Sequence, residues 1–299
     1  MRREPARLLL VLCTVALLAV SGCTSGPASP DRGDAPRPSL SADTPASPPT
    51  PTVEVRDDLA AVFARAGVKG TFAFFDVDNG RLVLVDRTRA ERPMVPASTY
   101  KIPHSLIALE IGVVTDAEQK IPYGGSPQPV KAWERDMGLR DAVKVSNVPV
   151  FQEIARRVGA EREHDWMVRL GYGNAEVGAA VDRFWLDGPL EISARDQAVW
   201  LSRLARGELP ASPAHQALVR DLLRLEKRGE YALYGKTGWA ASVNPQVGWW
   251  VGWVENAGRL YCFALNLDIA HDTDAERRIA VGRELLRNLD ALPPEGDQP

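Results

Sequence analysis

The chain has 299 residues, of which 45% are apolar, 25% charged and 7% aromatic. That is enough apolar material for a sizeable core, so a wholly disordered or collagen-like chain is excluded. The net charge of −3 comes with no basic surplus or stripe, which argues against a nucleic-acid binder.

Arg2, Arg3 and Arg7 precede an apolar run over residues 8–20. The run is shorter than the roughly twenty residues of a membrane span and has the length of a signal-sequence core. Residues 1–22 are therefore expected to be a signal peptide. The run ends in Val20-Ser21-Gly22-Cys23, which is similar to a bacterial lipobox, so Cys23 is the expected site of lipidation. Two acyl chains on one cysteine suffice for stable anchoring. The expected location is extracytoplasmic, tethered to the cell membrane through lipid alone. Eight prolines lie between Thr24 and Thr52, with Leu40 the only large apolar side chain, so residues 23–53 read as a disordered tether. Residues 54–299 remain for one two-lobed domain. Cys13 leaves with the signal and Cys23 is claimed by lipid, so Cys262 has no partner and reads as a small buried hydrophobe.

The body begins with two strands, residues 71–77 and 81–85, joined at Asp78-Asn79-Gly80, where Asn-Gly favours a tight primed turn. Helical periodicity dominates residues 98–230, clearest at 99–111, 150–158, 164–170 and 193–205. A strand is expected around residues 234–238. A second hairpin follows over 247–254 and 259–267, and residues 275–289 form a closing amphipathic helix. The expected fold is α/β of the α+β type: an antiparallel five-stranded sheet with strands from both ends of the chain, flanking helices and an inserted helical lobe.

Three short motifs carry chemistry. Ser98-Thr99-Tyr100-Lys101 opens an apolar helix, which sets the Lys101 amine one turn from the Ser98 hydroxyl and on the same face. A serine is a weak nucleophile until a neighbour takes its proton, and a desolvated lysine can do so because burial disfavours its charged form. Backbone N–H groups at the helix start would face a developing oxyanion. Ser146-Asn147-Val148 stands before Pro149 at another helix start and offers a second hydroxyl or a helix cap. Lys236-Thr237-Gly238, on a late strand, supplies an ammonium and a hydroxyl for an anionic group, with a glycine that lets a substrate backbone lie close. No His-Glu-x-x-His, clustered Cys/His spacing or Gly-x-Ser-x-Gly elbow occurs, so neither a metal site nor a Ser-His-Asp hydrolase is expected.

Residues 96–109, 146–156, 172–174 (Tyr-Gly-Asn), 185–188 (Trp-Leu-Asp-Gly), 236–239 and the tryptophan-rich run 249–253 occur in an order that resembles the class D beta-lactamases, or oxacillinases. These belong to the serine penicillin-recognising enzymes, and the resemblance covers about residues 57–290. It implies a beta-lactamase/transpeptidase-like fold and an enzyme that hydrolyses the beta-lactam amide of penicillin-type antibiotics, giving resistance. Ser98 would be the acylated nucleophile and Lys101, carboxylated by carbon dioxide or bicarbonate, the general base. Val148 and Trp185 would keep that amine in apolar surroundings, and the Trp185 indole N–H would hold the carbamate. Ser146 would relay a proton to the leaving nitrogen with electrostatic support from Lys236. Backbone N–H groups of Ser98 and Trp239 would form the oxyanion hole. Thr237 and Arg278, or the adjacent Arg277, would hold the substrate carboxylate beside Gly238. Tyr172-Gly173-Asn174 would shape the rim. No metal or organic cofactor and no protein partner is implied. Tyr100 and Trp239 stand where the family more commonly has phenylalanine, and phenylalanine or tyrosine. The tyrosine variant also occurs in related penicillin-sensing domains, so the alternative is a lipid-anchored module that is acylated but deacylates slowly.

Overall fold

The computed structural model describes residues 51–293; the expected signal peptide, the lipidated Cys23 and nearly all of the expected tether lie outside the described residues. Along the chain come β1 (Thr52–Val55), α1 (Ala60–Arg65), β2 (Gly70–Asp76), β3 (Arg81–Val85) and α2 (Arg87–Ala90). A 3-10 turn, Ala97–Tyr100, runs into α3 (Lys101–Glu110), followed by α4 (Leu139–Lys144), α5 (Val148–Val158) and α6 (Ala160–Leu170). Then come α7 (Phe184–Asp187), α8 (Ala194–Arg206), α9 (Pro213–Leu223), β4 (Arg224–Arg228), β5 (Tyr231–Ala240), β6 (Gln246–Asn256), β7 (Arg259–Ile269) and α10 (Asp272–Asn288).

The strands form one seven-stranded sheet in the order β1-β3-β2-β7-β6-β5-β4. Neighbours are antiparallel except β1 and β3, which run parallel. The two ends of the chain meet where β2 pairs with β7, Phe74 opposite Phe263. The expected count of five strands is thus corrected to seven, because an edge strand is added on each side. β4 reads Arg-Leu-Glu-Lys-Arg and is largely exposed, while β1 takes in Thr52 and Val53 from the stretch read as tether. β4 lacks the continuous apolar run of the interior strands and β1 is only four residues long with exposed valines, and charge on such edges guards against edge-to-edge pairing.

The turns also differ from expectation. Asp76 pairs with Arg81 across a four-residue connection in which only Gly80 has positive φ, so Asn79-Gly80 is not a two-residue primed turn. Asn79 instead donates Nδ2 to Asp76 Oδ2 at 2.9 Å. The primed turn belongs to the β6–β7 hairpin, where Ala257 and Gly258 both have positive φ between the paired Asn256 and Arg259.

Strand alternation divides the core in two. Ala73, Leu82, Trp249, Val251, Trp253 and Cys262 face the helical lobe, while Phe72, Phe74, Val83, Trp250 and Phe263 face α1 and α10. Cys262 is buried and free, as its sequence context implied. α3 is the centre of the lobe. It is buried from Lys101 to Leu109, with Lys101, His104 and Ser105 enclosed among its apolar residues. β5 lies beside the 3-10 turn at the head of α3, which brings the Lys-Thr-Gly strand to Ser98.

Candidate active site

Ser98 lies in the 3-10 turn rather than in α3 itself, and it does not cap that helix. The preceding Ala97 is held at φ +49°, a conformation uncommon for a residue with a Cβ that is found where surrounding structure overrides local preference. Lys101, in the first position of α3, donates Nζ to Ser98 Oγ at 2.9 Å. The amine is fully buried. That burial, and then the nearby charge of Lys236, hold it well below the usual lysine range. Both conditions for a proton acceptor beside the hydroxyl are therefore met.

The walls around Lys101 are aromatic. Its Nζ lies 5.1 Å from the centroid of the Phe151 ring. Trp185, from α7, is fully buried and stacks on Tyr100 with ring centroids 5.8 Å apart. Its Nε1 has no hydrogen-bond partner among the described residues. A buried N–H without an acceptor is uncommon and calls for a group to fill the role. Val148 is partly buried at the start of α5, and Phe151, three residues further along the same helix, packs on the amine as well. Phe151 is legible only in hindsight, through that i, i+3 spacing from Val148.

The second hydroxyl is freed by its neighbour. Asn147, not Ser146, caps α5, accepting from Val150 N at 2.9 Å. Ser146, at φ +56°, turns its Oγ to Lys236 Nζ at 3.0 Å, and the same amine donates to Thr237 O at 2.9 Å. Lys236 is buried and its amine is brought down to about 7, by that burial first and by the Arg278 guanidinium second.

Arg278 and Arg277 are separated by the fold. Arg277 turns to Asp274 at 2.9 Å on the far side of α10, whereas Arg278 donates Nη1 to Gly238 O at 2.5 Å and Nε to Ala275 O. The glycine at 248 makes room for it, because a Cβ there would meet Arg278 Cδ at 2.8 Å. Gly238 is also needed for close packing inside the protein. A Cβ on it would lie 2.9 Å from Pro96 O and 3.1 Å from Thr99 Cγ2, so the space is taken by the turn that carries Ser98. Gly238→Ala is accordingly expected to cost about 1–3 kcal/mol through overpacking against backbone. Thermal unfolding checks this, and an unchanged midpoint would show that strand and turn can separate freely.

Trp239 is 37% exposed at the rim, its Nε1 donating to Gln246 Oε1 at 2.7 Å. Ser242, not singled out in the sequence, joins the segment carrying Trp185 to the β5–β6 loop, its Oγ donating to Asp187 Oδ1 at 2.6 Å. Asn174 clamps the segment after α7, accepting from Glu191 N at 3.0 Å and donating to Pro189 O at 2.9 Å. Tyr172 is buried against Tyr100. A cavity of about 460 Å3 opens beside Lys236 and Thr237, with Arg140, Lys144 and Ile279 on its walls. Among the described residues, no group of His, Cys, Asp and Glu could hold a metal ion.

The profile of the penicillin binding protein transpeptidase domain matches residues 70–287. The chain is 39% identical over 227 residues to the beta-lactamase OXA-5 of Pseudomonas aeruginosa, covering 75% of this chain and 85% of that protein. It is also 39% identical over 205 residues to the beta-lactamase OXA-48 of Klebsiella pneumoniae, covering 69% and 77%. Among solved structures it resembles FUS-1 (OXA-85), a class D beta-lactamase from Fusobacterium nucleatum subsp. polymorphum, at TM-score 0.78 and 37% identity over 80% of this chain and 100% of that one. The class D beta-lactamase YbXI from Nostoc matches at TM-score 0.76 and 39% identity, over 78% and 99%. With these motifs, this sheet and relatives aligned over most of its length, the chain belongs to the class D beta-lactamase family.

Proposed function

We propose that the protein is a serine beta-lactamase that hydrolyses the amide of penicillin-type antibiotics through an acyl-enzyme on Ser98, and so confers resistance. The observation that carries this reading is the 2.9 Å contact between a fully buried Lys101 amine and Ser98 Oγ. Lys101 takes the Ser98 proton as Oγ attacks the lactam carbonyl carbon. As the C–N bond breaks, the ring nitrogen receives a proton by way of Ser146, which Lys236 supports. Water then attacks the acyl carbon, its proton passing to the base; the bond from that carbon to Ser98 Oγ breaks, the base returns the proton to Oγ, and the opened acid leaves. Backbone N–H groups of Ser98 and Trp239 stabilise the oxyanion in both steps. Thr237 and Arg278 hold the substrate carboxylate.

The residues fit a carbamate on Lys101, formed from carbon dioxide. An amine reacts with carbon dioxide only when neutral, and burial favours neutrality here. The partnerless Trp185 Nε1 is a donor suited to an anionic oxygen. When bound, the carboxyl group supplies an anionic proton acceptor in place of the amine.

Intact mass followed after one dose of benzylpenicillin, with bicarbonate present, tests the proposal. An adduct on Ser98 that forms and then disappears as hydrolysed drug accumulates is the expected result. A stable adduct would instead mean a penicillin-sensing or penicillin-binding module. The depressed Lys236 value gives a pH expectation as well. Lys236 carries its charge only below about 7 in the free enzyme, so kcat/KM should fall as pH rises through that region. Arg278→Ala removes a cation that helps lower Lys236, so it should move this alkaline limb upward while raising KM. A limb that stays in place would separate Lys236 from the profile. The signal peptide and lipidated Cys23 belong to the same proposal, and Cys23→Ser should abolish partition into detergent.

A further inference from the structure

A buried polar trio behind the base is used by no step above. Glu163, on α6, is a fully buried carboxylate. It accepts a hydrogen bond from Tyr100 Oη at 2.7 Å, and its Oε1 lies 2.8 Å from His104 Nε2, within ion-pair distance but off the line of a hydrogen bond. Tyr100 and His104 are themselves fully buried, and they flank Lys101 at i−1 and i+3 on the segment that carries the nucleophile. Burying a carboxylate costs stability unless it is paired, so the trio is a constraint that an apolar core would not need.

Its contacts lead to the base. The Tyr100 ring stacks on Trp185, and the His104 ring meets Trp185 edge-on with centroids 5.3 Å apart. The same imidazole packs on Phe151 at 5.4 Å, and Phe151 faces Lys101 Nζ. The Phe151 ring that faces the amine, and the Trp185 ring that packs on Tyr100 and His104 beside it, therefore both rest on side chains tied to Glu163. Burial and the Glu163 charge push the Tyr100 phenol well up, so its hydroxyl stays a donor and the tie persists.

We propose that Glu163 is a positioning residue for the Lys101 base: through Tyr100 and His104 it fixes the rings of Trp185 and Phe151 around Lys101 Nζ. It also gives the tyrosine at position 100 a role, since a phenylalanine there could not reach the carboxylate. The inference rests on Lys101 as general base, and the test separates the two.

The full chain and its Glu163→Leu, Glu163→Gln and Tyr100→Phe variants are compared by acylation rate, deacylation rate and the bicarbonate concentration giving half-maximal turnover. Glu163→Leu is expected to slow deacylation and raise that concentration by about tenfold, the low end of the loss when an outer-shell partner is removed. Acylation should change less. Glu163→Gln keeps an oxygen to accept from Tyr100 and should stay within about threefold of the native protein, while Tyr100→Phe should move the same readouts as the leucine variant by about threefold. If Glu163→Leu does not fold, Tyr100→Phe decides. Unchanged deacylation and bicarbonate response in the folded variants would overturn the proposal. So would equal losses in both rates with an unaltered bicarbonate response, since that is general loosening. A native protein indifferent to bicarbonate would overturn the carbamate instead. The split between the two rates would still test Glu163, because the Phe151 ring faces Lys101 in either form.

Discussion

Lys101→Ala is expected to lower kcat/KM for benzylpenicillin by at least about a thousandfold, within the range for loss of a positioned general base. The 2.9 Å contact with Ser98 Oγ is the means by which the hydroxyl loses its proton, and alanine leaves nothing at that place to accept it. Stability should move the other way or little. A lysine whose amine is held far below its ordinary range by burial is a cost to the fold, and its removal relieves that cost against the loss of packing. A variant as stable as the native protein but without turnover is therefore the signature of a base. Turnover retained to within tenfold would assign proton transfer to another group. Ser146 with the Lys236 amine beside it would then be the first to examine.

Trp185→Phe should have the second largest effect, and a more selective one. The indole N–H has no partner among the described residues, so removing it breaks no hydrogen bond among them, while the ring stacked on Tyr100 is largely kept. If that N–H holds the carboxylated form of Lys101, deacylation should fall by about a hundredfold and an acyl adduct on Ser98 should accumulate. Added bicarbonate should restore part of the rate. Native deacylation in this variant would count against the assignment. Trp185→Ala is the harsher test, since an emptied core site of that size costs about 3–5 kcal/mol, and its kinetics would mix loss of the donor with a loosened wall.

Local signals explain which elements were legible. The interior strands β2, β3, β6 and β7 were readable because burial on both faces makes them short, nearly continuous apolar runs, and α5, α6, α8 and α10 because burial on one face imposes a period of 3.6. β1 and β4 were not, because an edge strand such as Arg224–Arg228 is held by backbone pairing and needs no apolar pattern. The Asn-Gly dipeptide pointed to the wrong hairpin for the primed turn, since Asn79 has a carboxylate at Asp76 to bind and stays out of the left-handed region.

By itself the sequence determined the chemistry available. It contained a serine and a lysine one turn apart, a second hydroxyl before Pro149, a Lys-Thr-Gly strand and the ordered motifs of one enzyme family. Only the tertiary structure decided what those groups face. It set Arg278 against Gly238 O and Arg277 against Asp274, and it packed Gly238 against the turn that carries Ser98. It also placed the Phe151 ring beside Lys101, and it brought Glu163 from α6 to Tyr100 and His104. Spacing along a chain sets which side chains share a face of one element. Burial, proton affinity and contact between elements depend on packing among residues far apart in sequence, and no local pattern encodes them.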